Sequence, residues 1–367
     1  MKKKVLVLSN HFLTLYSFRK ELIKELIQRG YCVCLSLPVD LRNKYFRDIG
    51  CDIIETSIDR RGINPINDLR LLIKYFHIIK EYKPDIICSY TIKPNIYGSI
   101  ASNILHYKQI CNITGTGATF LHESWISKIA KVLYKCSVKR ACKVYFQNTG
   151  DRDYFIKHHL IGNNYELLPG SGVNLDEHTY SILPDGKYTN FIFIGRVMKL
   201  KGIDLFLECA KKIKSKYPDT NFYIAGFIEE ERYKKIIERY ENDGYIKYLG
   251  FQQNIDQWIK ICSCIILTSF GGEGIPNVLL EAAANGRVCI ASDISGNSDV
   301  ISDGKTGFLF NNGDCNDLIK KVESFILLPL QDKINMGKEA RNKVVAEFDR
   351  NIVIETYLNE IEIQARK

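Results

Sequence analysis

Short apolar runs rich in β-branched residues alternate with longer amphipathic stretches along this chain. In the first half, residues 5–8, 32–37, 52–54, 86–89, 110–113 and 144–147 read as strands. Residues 18–29, 68–80, 95–105, 126–141 and 151–158 read as helices between them. Repeated strand–helix alternation predicts an α/β fold with a parallel, doubly wound sheet. Such sheets bind ligands at the carboxyl ends of their strands.

Residues 169–190 break the pattern, being rich in Gly, Pro, Ser, Asn and Asp, and read as a linker. The alternation then restarts. Strands are predicted at 191–194, 221–225, 246–249, 265–267, 288–291 and 307–310, with helices at 203–217, 230–242 and 352–365. The organisation is thus two similar doubly wound domains facing a cleft, 1–168 and 191–349, as a length of 367 residues also favours.

Composition is that of an ordinary globular protein. The 12 cysteines lack framework spacing; Cys32/Cys34 and Cys262/Cys264 lie inside apolar runs and read as core packing in a reducing cytosol. Met1-Lys2-Lys3-Lys4 and the apolar run after it imitate a signal peptide, but the run stops at Ser9 with no small-residue cleavage site, so it reads as a first buried strand. No apolar run approaches the ~18 residues of a membrane span. Charge changes the picture most. Residues 1–170 hold 26 Lys and Arg against 14 Asp and Glu, a net +12, while the remainder is net −3. The excess predicts an anionic partner for the first domain. No nucleic-acid motif is visible, so a membrane surface or a lipid phosphate is the expected partner.

The candidate chemistry is concentrated in the second half. Gly272-Glu273-Gly274-Ile275-Pro276-Asn277 follows an apolar run, and Glu281 falls two turns into a helix opened by Pro276. Carboxylates for hydroxyls beside the free amides of a helix N-terminus make a cradle for a sugar nucleotide. Upstream, residues 191–196 run from a strand into a loop that carries Gly195, Arg196, Lys199 and Lys201. Arg196 can fork onto a phosphate, and Lys201 adds a point charge.

With these residues in view, the C-terminal half resembles the retaining glycosyltransferases of family 4, which have the GT-B fold. The resemblance rests on GRVMKLKG at 195–202, YLGF at 248–251, EGIPNVLLE at 273–281 and SDISGNSDVISDGKTGFLF at 292–310. It implies that Glu273 approaches the donor sugar hydroxyls and Glu281 the ribose hydroxyls. Arg196 and Lys201 would hold the diphosphate, with Gly195, Phe251 and the amides of Gly274, Ile275 and Asn277 completing the donor site. It also implies that a helix at 350–367 packs back on the first domain. The N-terminal half, through FRKELIKEL at 18–26, RRGINPINDL at 60–69, YTIKPNIYGS at 90–99 and ITGTGATF at 113–120, resembles a narrower group acting on lipid-linked intermediates of bacterial surface polysaccharides. Acceptors there are commonly sugars on polyprenyl diphosphate.

In the first domain Arg19 and Lys93 are candidate acceptor contacts, against surface or loop positions without a role. Gly115 and Gly117 can let the backbone approach a sugar. Arg60 and Arg61 can bind an anion or cap a loop. Over residues 125–143, Lys128, Lys131, Lys135 and Lys139 fall within about 80° of arc with Trp125 near it, a face for anionic headgroups or merely for solvent. Ile126, Ile129 and Leu133 occupy another side. Asp151-Arg152-Asp153 has a metal-binding pattern, but acidic residues favour helix N-termini anyway, so no metal and no cofactor is expected.

The expected function is therefore transfer of a hexose or N-acetylhexosamine from a UDP-sugar to a polyprenyl-diphosphate-linked saccharide, with nucleic acid excluded as a partner. The expected location is cytoplasmic, peripheral on the inner face of the plasma membrane. An epimerase or hydrolase on the same fold, needing no acceptor, stands as the alternative, followed by a non-catalytic nucleotide-sugar sensor.

Overall fold

The structure, a computed structural model, describes residues 2–366 apart from 61, 63, 117–119, 121–123 and 273, and gives no side chain for residue 366. The chain forms two compact units, Met1–Ser171 with Asn351–Lys367, and Gly172–Arg350.

The first unit holds β1 (Lys4–Leu8), β2 (Cys32–Leu37), β3 (Asp52–Glu55), β4 (Ile86–Tyr90), β5 (Gln109–Ile113), β6 (Lys143–Phe146) and β7 (Tyr165–Leu167). They make a seven-stranded sheet in the order β3-β2-β1-β4-β5-β6-β7, parallel at every pairing. The period of two along a strand explains why its runs are apolar throughout rather than alternating. Val5 and Val7 enter one core with the helix Lys20–Gln28, while Leu6 and Leu8 enter the opposite core with the helix Pro65–Tyr82.

The expected helix at 18–29 is two helices, Phe12–Phe18 and Lys20–Gln28, broken at Arg19. Arg19 leaves helical geometry (φ −139°, ψ 2°), and its side chain is only 2% exposed. The guanidinium lies 5.0 Å from the Tyr90 ring centre and 5.6 Å from that of Tyr357. Tyr357 comes from the last helix, Arg350–Arg366, whose Val353, Tyr357, Leu358 and Ile361 complete the first core. Asn112 donates to the Tyr357 hydroxyl at 2.7 Å.

The second unit holds β8 (Thr189–Ile194), β9 (Thr220–Ala225), β10 (Lys247–Gly250), β11 (Cys264–Leu267), β12 (Val288–Ser292) and β13 (Gly307–Phe310). They form a six-stranded sheet in the order β10-β9-β8-β11-β12-β13, again parallel. Phe191 and Phe193 face one core and Ile192 the other. The helices Cys315–Leu327 and Leu330–Glu347 cover this sheet in a stretch where the sequence pattern gave no prediction.

The Gly- and Pro-rich stretch after Ser171 lies on the second unit. Val173 pairs with Asp349 across a parallel bridge. Further on, Arg287, wholly buried, donates to the Ser181 carbonyl (2.8 Å) and hydroxyl (2.7 Å) and to the carbonyls of Ile182, Ile259, Lys260 and Asn285. Two of these carbonyls end the helix Ile255–Ile261 and one follows the helix Asn277–Ala284, where helix dipoles favour a cation. Burial nevertheless pushes the Arg287 pKa down to about 10.

Candidate active site

In each sheet the strand order reverses direction once, between β1 and β4 in the first and between β8 and β11 in the second. Loops leaving adjacent strands in opposite directions open a crevice there. In the second unit that crevice is bounded by the loops after β8 and β11, which carry Arg196 with Lys201, and the Gly-rich segment, respectively.

The two loops are bound to each other. Thr268, directly after β11 and fully buried, donates its hydroxyl to the carbonyls of Lys201 (3.0 Å) and Gly202 (2.8 Å). The Phe270 amide donates to Leu200 at 3.0 Å. Gly202 stands at φ +69°, and a Cβ there would lie 1.9 Å from the Thr268 carbonyl oxygen. Only glycine meets both demands. A second close approach joins Gly195 to the loop after β9, since a Cβ on Gly226 would meet the Gly195 carbonyl oxygen at 1.8 Å. Gly226 is held in turn by Gly250 and by the Tyr248 hydroxyl, so YLGF is a brace for GRVMKLKG.

Arg196 is half-exposed and lies 3.9 Å from the Glu229 carboxylate, longer than a short ion pair. Lys201 closes a single 3-10 turn, Lys199–Lys201, before the helix Ile203–Lys216. Phe251 stacks on Phe227 with ring centres 4.4 Å apart and planes 8° apart, and both stay about half-exposed. That pair offers a flat aromatic surface at the sheet's ligand-binding edge.

Glu273 lies outside the described residues. Gly274, Ile275 and Pro276, which follow it in the chain, are buried, and among the described residues no side chain caps the helix Asn277–Ala284. Its first amides are therefore available to an anion. The Asn277 Oδ1 is buried with no hydrogen-bond partner among the described residues, an orphan acceptor at the helix start. Pro276 caps this helix rather than opening it. Glu281 is consequently its fifth residue, a little over one turn in, not two.

Glu281 is half-buried by surface area, yet lost hydration is the largest influence on it and raises its pKa. The fields of His178 and Arg350 oppose the rise, and those of Asp256 and Glu177 add to it. Below it lies a network the sequence did not reveal. His178 Nδ1 is 3.0 Å from Asp256, Asn285 donates to the same carboxylate at 2.7 Å, and Asn285 also donates back to the Glu281 carbonyl at 2.9 Å. Burial works against the Asp256 charge, but Lys260, Asn285 and His178 together hold its pKa below the usual value. His178 stands in the stretch expected to be a linker, with no motif around it to mark it.

In the first unit the predicted residues separate. Lys93 donates to Asp68 at 2.6 Å and to the Gly62 carbonyl at 2.8 Å, and Tyr97 donates to the other Asp68 oxygen. Its charge is thus already paired. Arg19 is the buried residue described above, neither surface cation nor open ligand contact. Gly115 has φ +120°, while Gly117 and Arg61 lie outside the described residues. Asp151 is occupied with its own helix terminus, accepting from Asn148 (2.8 Å) and Thr116 (2.9 Å). At the β1/β4 reversal the structure adds Thr91, whose backbone (φ 73°, ψ 165°) is a region nearly exclusive to glycine. Its hydroxyl and the Asn10 Oδ1 are buried without partners among the described residues. His11 accepts the Leu13 amide on Nδ1, and burial, then the fields of Arg60 and Arg42, lower its pKa.

Two Rossmann-like units, one with a cation-and-amide crevice at its strand reversal, define a GT-B glycosyltransferase. Residues 176–343 match the family described as glycosyl transferases group 1, and residues 4–148 match glycosyl transferase 4-like. The two matches together span most of the chain, which is a glycosyltransferase built of these two domains. A Campylobacter jejuni relative is the N,N'-diacetylbacillosaminyl-diphospho-undecaprenol alpha-1,3-N-acetylgalactosaminyltransferase, 26% identical with 96% of each chain covered. An Escherichia coli relative is the UDP-Gal:alpha-D-GlcNAc-diphosphoundecaprenol alpha-1,3-galactosyltransferase, 27% identical over 79% of this chain and 78% of that one. In fold, Anabaena Alr3699/HepE, solved with UDP and glucose, superposes with a TM-score of 0.81 at 17% identity, covering 98% of this chain and 99% of that one.

Proposed function

We propose that this enzyme is a retaining glycosyltransferase. It moves a hexose or N-acetylhexosamine from a UDP-sugar to a saccharide carried on polyprenyl diphosphate, during bacterial surface polysaccharide synthesis at the inner face of the membrane. The observation that carries the reading is the Thr268 tie, which holds the cation-bearing loop after β8 against the start of the loop after β11 that leads into the helix Asn277–Ala284. Two relatives named for diphospho-undecaprenol acceptors support the acceptor class, and one of them the UDP donor.

The barrier is departure of the nucleoside diphosphate from the anomeric carbon. Negative charge grows on the leaving phosphate while the sugar becomes oxocarbenium-like. Arg196, Lys201 and the amides of Gly274, Ile275 and Asn277 stabilise that charge, so the reading calls for no metal ion and no cofactor. Glu273 orients the sugar hydroxyls and Glu281 the ribose, with Phe251 and Phe227 against the base. The acceptor hydroxyl attacks the face that the diphosphate leaves and gives its proton to that phosphate, so configuration is retained.

The test is nucleoside diphosphate release from a panel of nucleotide sugars, with and without polyprenyl-diphosphate saccharides, in wild type and Glu273→Ala. Release needing one donor and the lipid acceptor, lost in the variant, supports the proposal. Donor turnover without acceptor assigns a hydrolase or epimerase instead, and an inverted product linkage by NMR removes the retaining assignment.

A further inference from the structure

Three helices lie side by side on one face of the first sheet. They are Pro65–Tyr82 after β3, Ile92–Leu105 after β4 and Trp125–Ser137 after β5. Right-handed crossovers running in one direction put them there. Asp68 binds Lys93 and Tyr97 of the middle helix on one side, and Asn103 of the middle helix donates to Ser137 at 2.9 Å on the other. All three start at the carboxyl edge of the sheet, the edge of the β1/β4 crevice.

Both outer helices have the same unusual outward face. On Trp125–Ser137 the inward side is Ser127, Ala130, Tyr134 and Ser137, all buried. Opposite it, Trp125 (61% exposed), Ile129 (50%) and Val132 (61%) share an arc of about 60° at ~100° per residue. Lys128 and Lys135, both exposed, border that arc on one side, and the helix has no acidic residue. On Pro65–Tyr82, Ile66, Leu69 and Ile73 are likewise exposed along one arc of about 60°, with exposed Arg70 and Lys74 beside it. An exposed aliphatic–aromatic stripe flanked by cations has no use in water. Burying such a stripe is favourable, and the cations choose what covers it.

We infer that these two helix faces together form the surface by which the enzyme docks on a lipid bilayer bearing anionic headgroups. Trp125, Ile129, Val132, Ile66, Leu69 and Ile73 enter the headgroup–acyl boundary, and Lys128, Lys135, Arg70 and Lys74 stay at headgroup level. Trp is at home at that depth. The inference rests on the proposed lipid-linked acceptor. It adds how that acceptor is met, because the docking faces begin at the crevice edge and bring a membrane-held diphosphate to it.

The test is flotation of the full chain with vesicles of phosphatidylcholine alone or mixed with phosphatidylglycerol. Trp258→Phe leaves Trp125 as the one tryptophan, so its emission reports insertion directly. The expected result is binding to the mixed vesicles only, with a blue shift of Trp125. Lys128→Glu with Lys135→Glu should weaken binding by about tenfold or more. Ile129→Ser with Val132→Ser should abolish the shift, whereas Ile182→Ser, exposed on the second unit, changes neither. Unshifted emission and no flotation overturn the inference, as does concentration-dependent dimerisation lost in Ile129→Ser, which assigns the face to a second copy. Assaying transfer to a water-soluble, short-chain acceptor separates the two readings. Surface variants that transfer normally but do not float leave the proposed function standing, and a wild type that floats but never transfers refutes that function alone.

Discussion

The Thr268 hydroxyl donates to the Gly202 carbonyl at 2.8 Å, while the Thr268 carbonyl stands where any side chain on Gly202 would begin. The two residues interlock backbone to backbone, and the loops after β8 and β11 have one allowed spacing. Gly202→Ala should therefore lose donor binding as well as stability. Gly244→Ala is the matched control, with φ +77° but open space around it. It should show only the ~1–2 kcal/mol of a left-handed alanine, with donor affinity unchanged. Urea denaturation and donor titration of both variants check this, and equal donor affinity in the two would refute the interlock.

Glu281 should affect stability and nucleotide binding with opposite signs. Its raised folded-state pKa means the folded protein holds this proton more tightly than the unfolded chain. Stability from that proton is full below the ordinary glutamate pKa and is lost as pH rises through the folded value. Glu281→Gln should thus be more stable than wild type at neutral pH and converge with it in mild acid. The same change should weaken nucleotide binding by about tenfold or more, the scale of a lost hydrogen bond to a charged group. Thermal melts across pH, beside nucleotide titrations, read both effects.

Arg196 is half-exposed and makes no tight ion pair among the described residues, so its truncation should leave stability within ~0.5 kcal/mol. If it carries leaving-group charge, Arg196→Ala should lower kcat by about 10²–10³-fold. Full turnover in this variant would remove it from the reaction. Added guanidinium restoring part of the rate would support its role as a charge.

Arg287→Lys keeps the cation but loses the fork that reaches Ser181, Ile182, Ile259, Lys260 and Asn285 at once. At ~1–3 kcal/mol for each buried acceptor left unpaired, the cost should exceed ~2 kcal/mol. Urea denaturation of the full chain measures it. Because the contact anchors residues 181–182, proteolysis between Gly172 and Thr189 should also accelerate.

Much of the frame was legible because parallel strands buried on both faces declare themselves as unbroken apolar runs, as residues 5–8 and 264–267 do. Strands Tyr165–Leu167 and the helices Cys315–Leu327 and Leu330–Glu347 were not. The first is an exposed edge strand with a glutamate at its centre, and the helices mix apolar and charged positions without a motif to frame them. In the candidate site, the turn at Gly202 was readable because its motif is local. Arg19 illustrates the limit. Its burial depends on Tyr90 and Tyr357, and no local pattern around residue 19 announces an aromatic partner from the last helix. His178 and Asp256 escaped for the same reason.

The closing helix has a consequence for how the protein is made. Val353, Tyr357, Leu358 and Ile361 cover the sheet face carrying Val5, Val7, Val33 and Leu35. On the ribosome, that face emerges before the second unit, and its cover is translated after it. The second unit, Gly172–Arg350, lies wholly between these events and can complete its own core while the first unit waits with an apolar face open. The nascent chain is thus vulnerable to aggregation in the interval before residue 351 is added, and a premature stop there leaves the first unit without its cover.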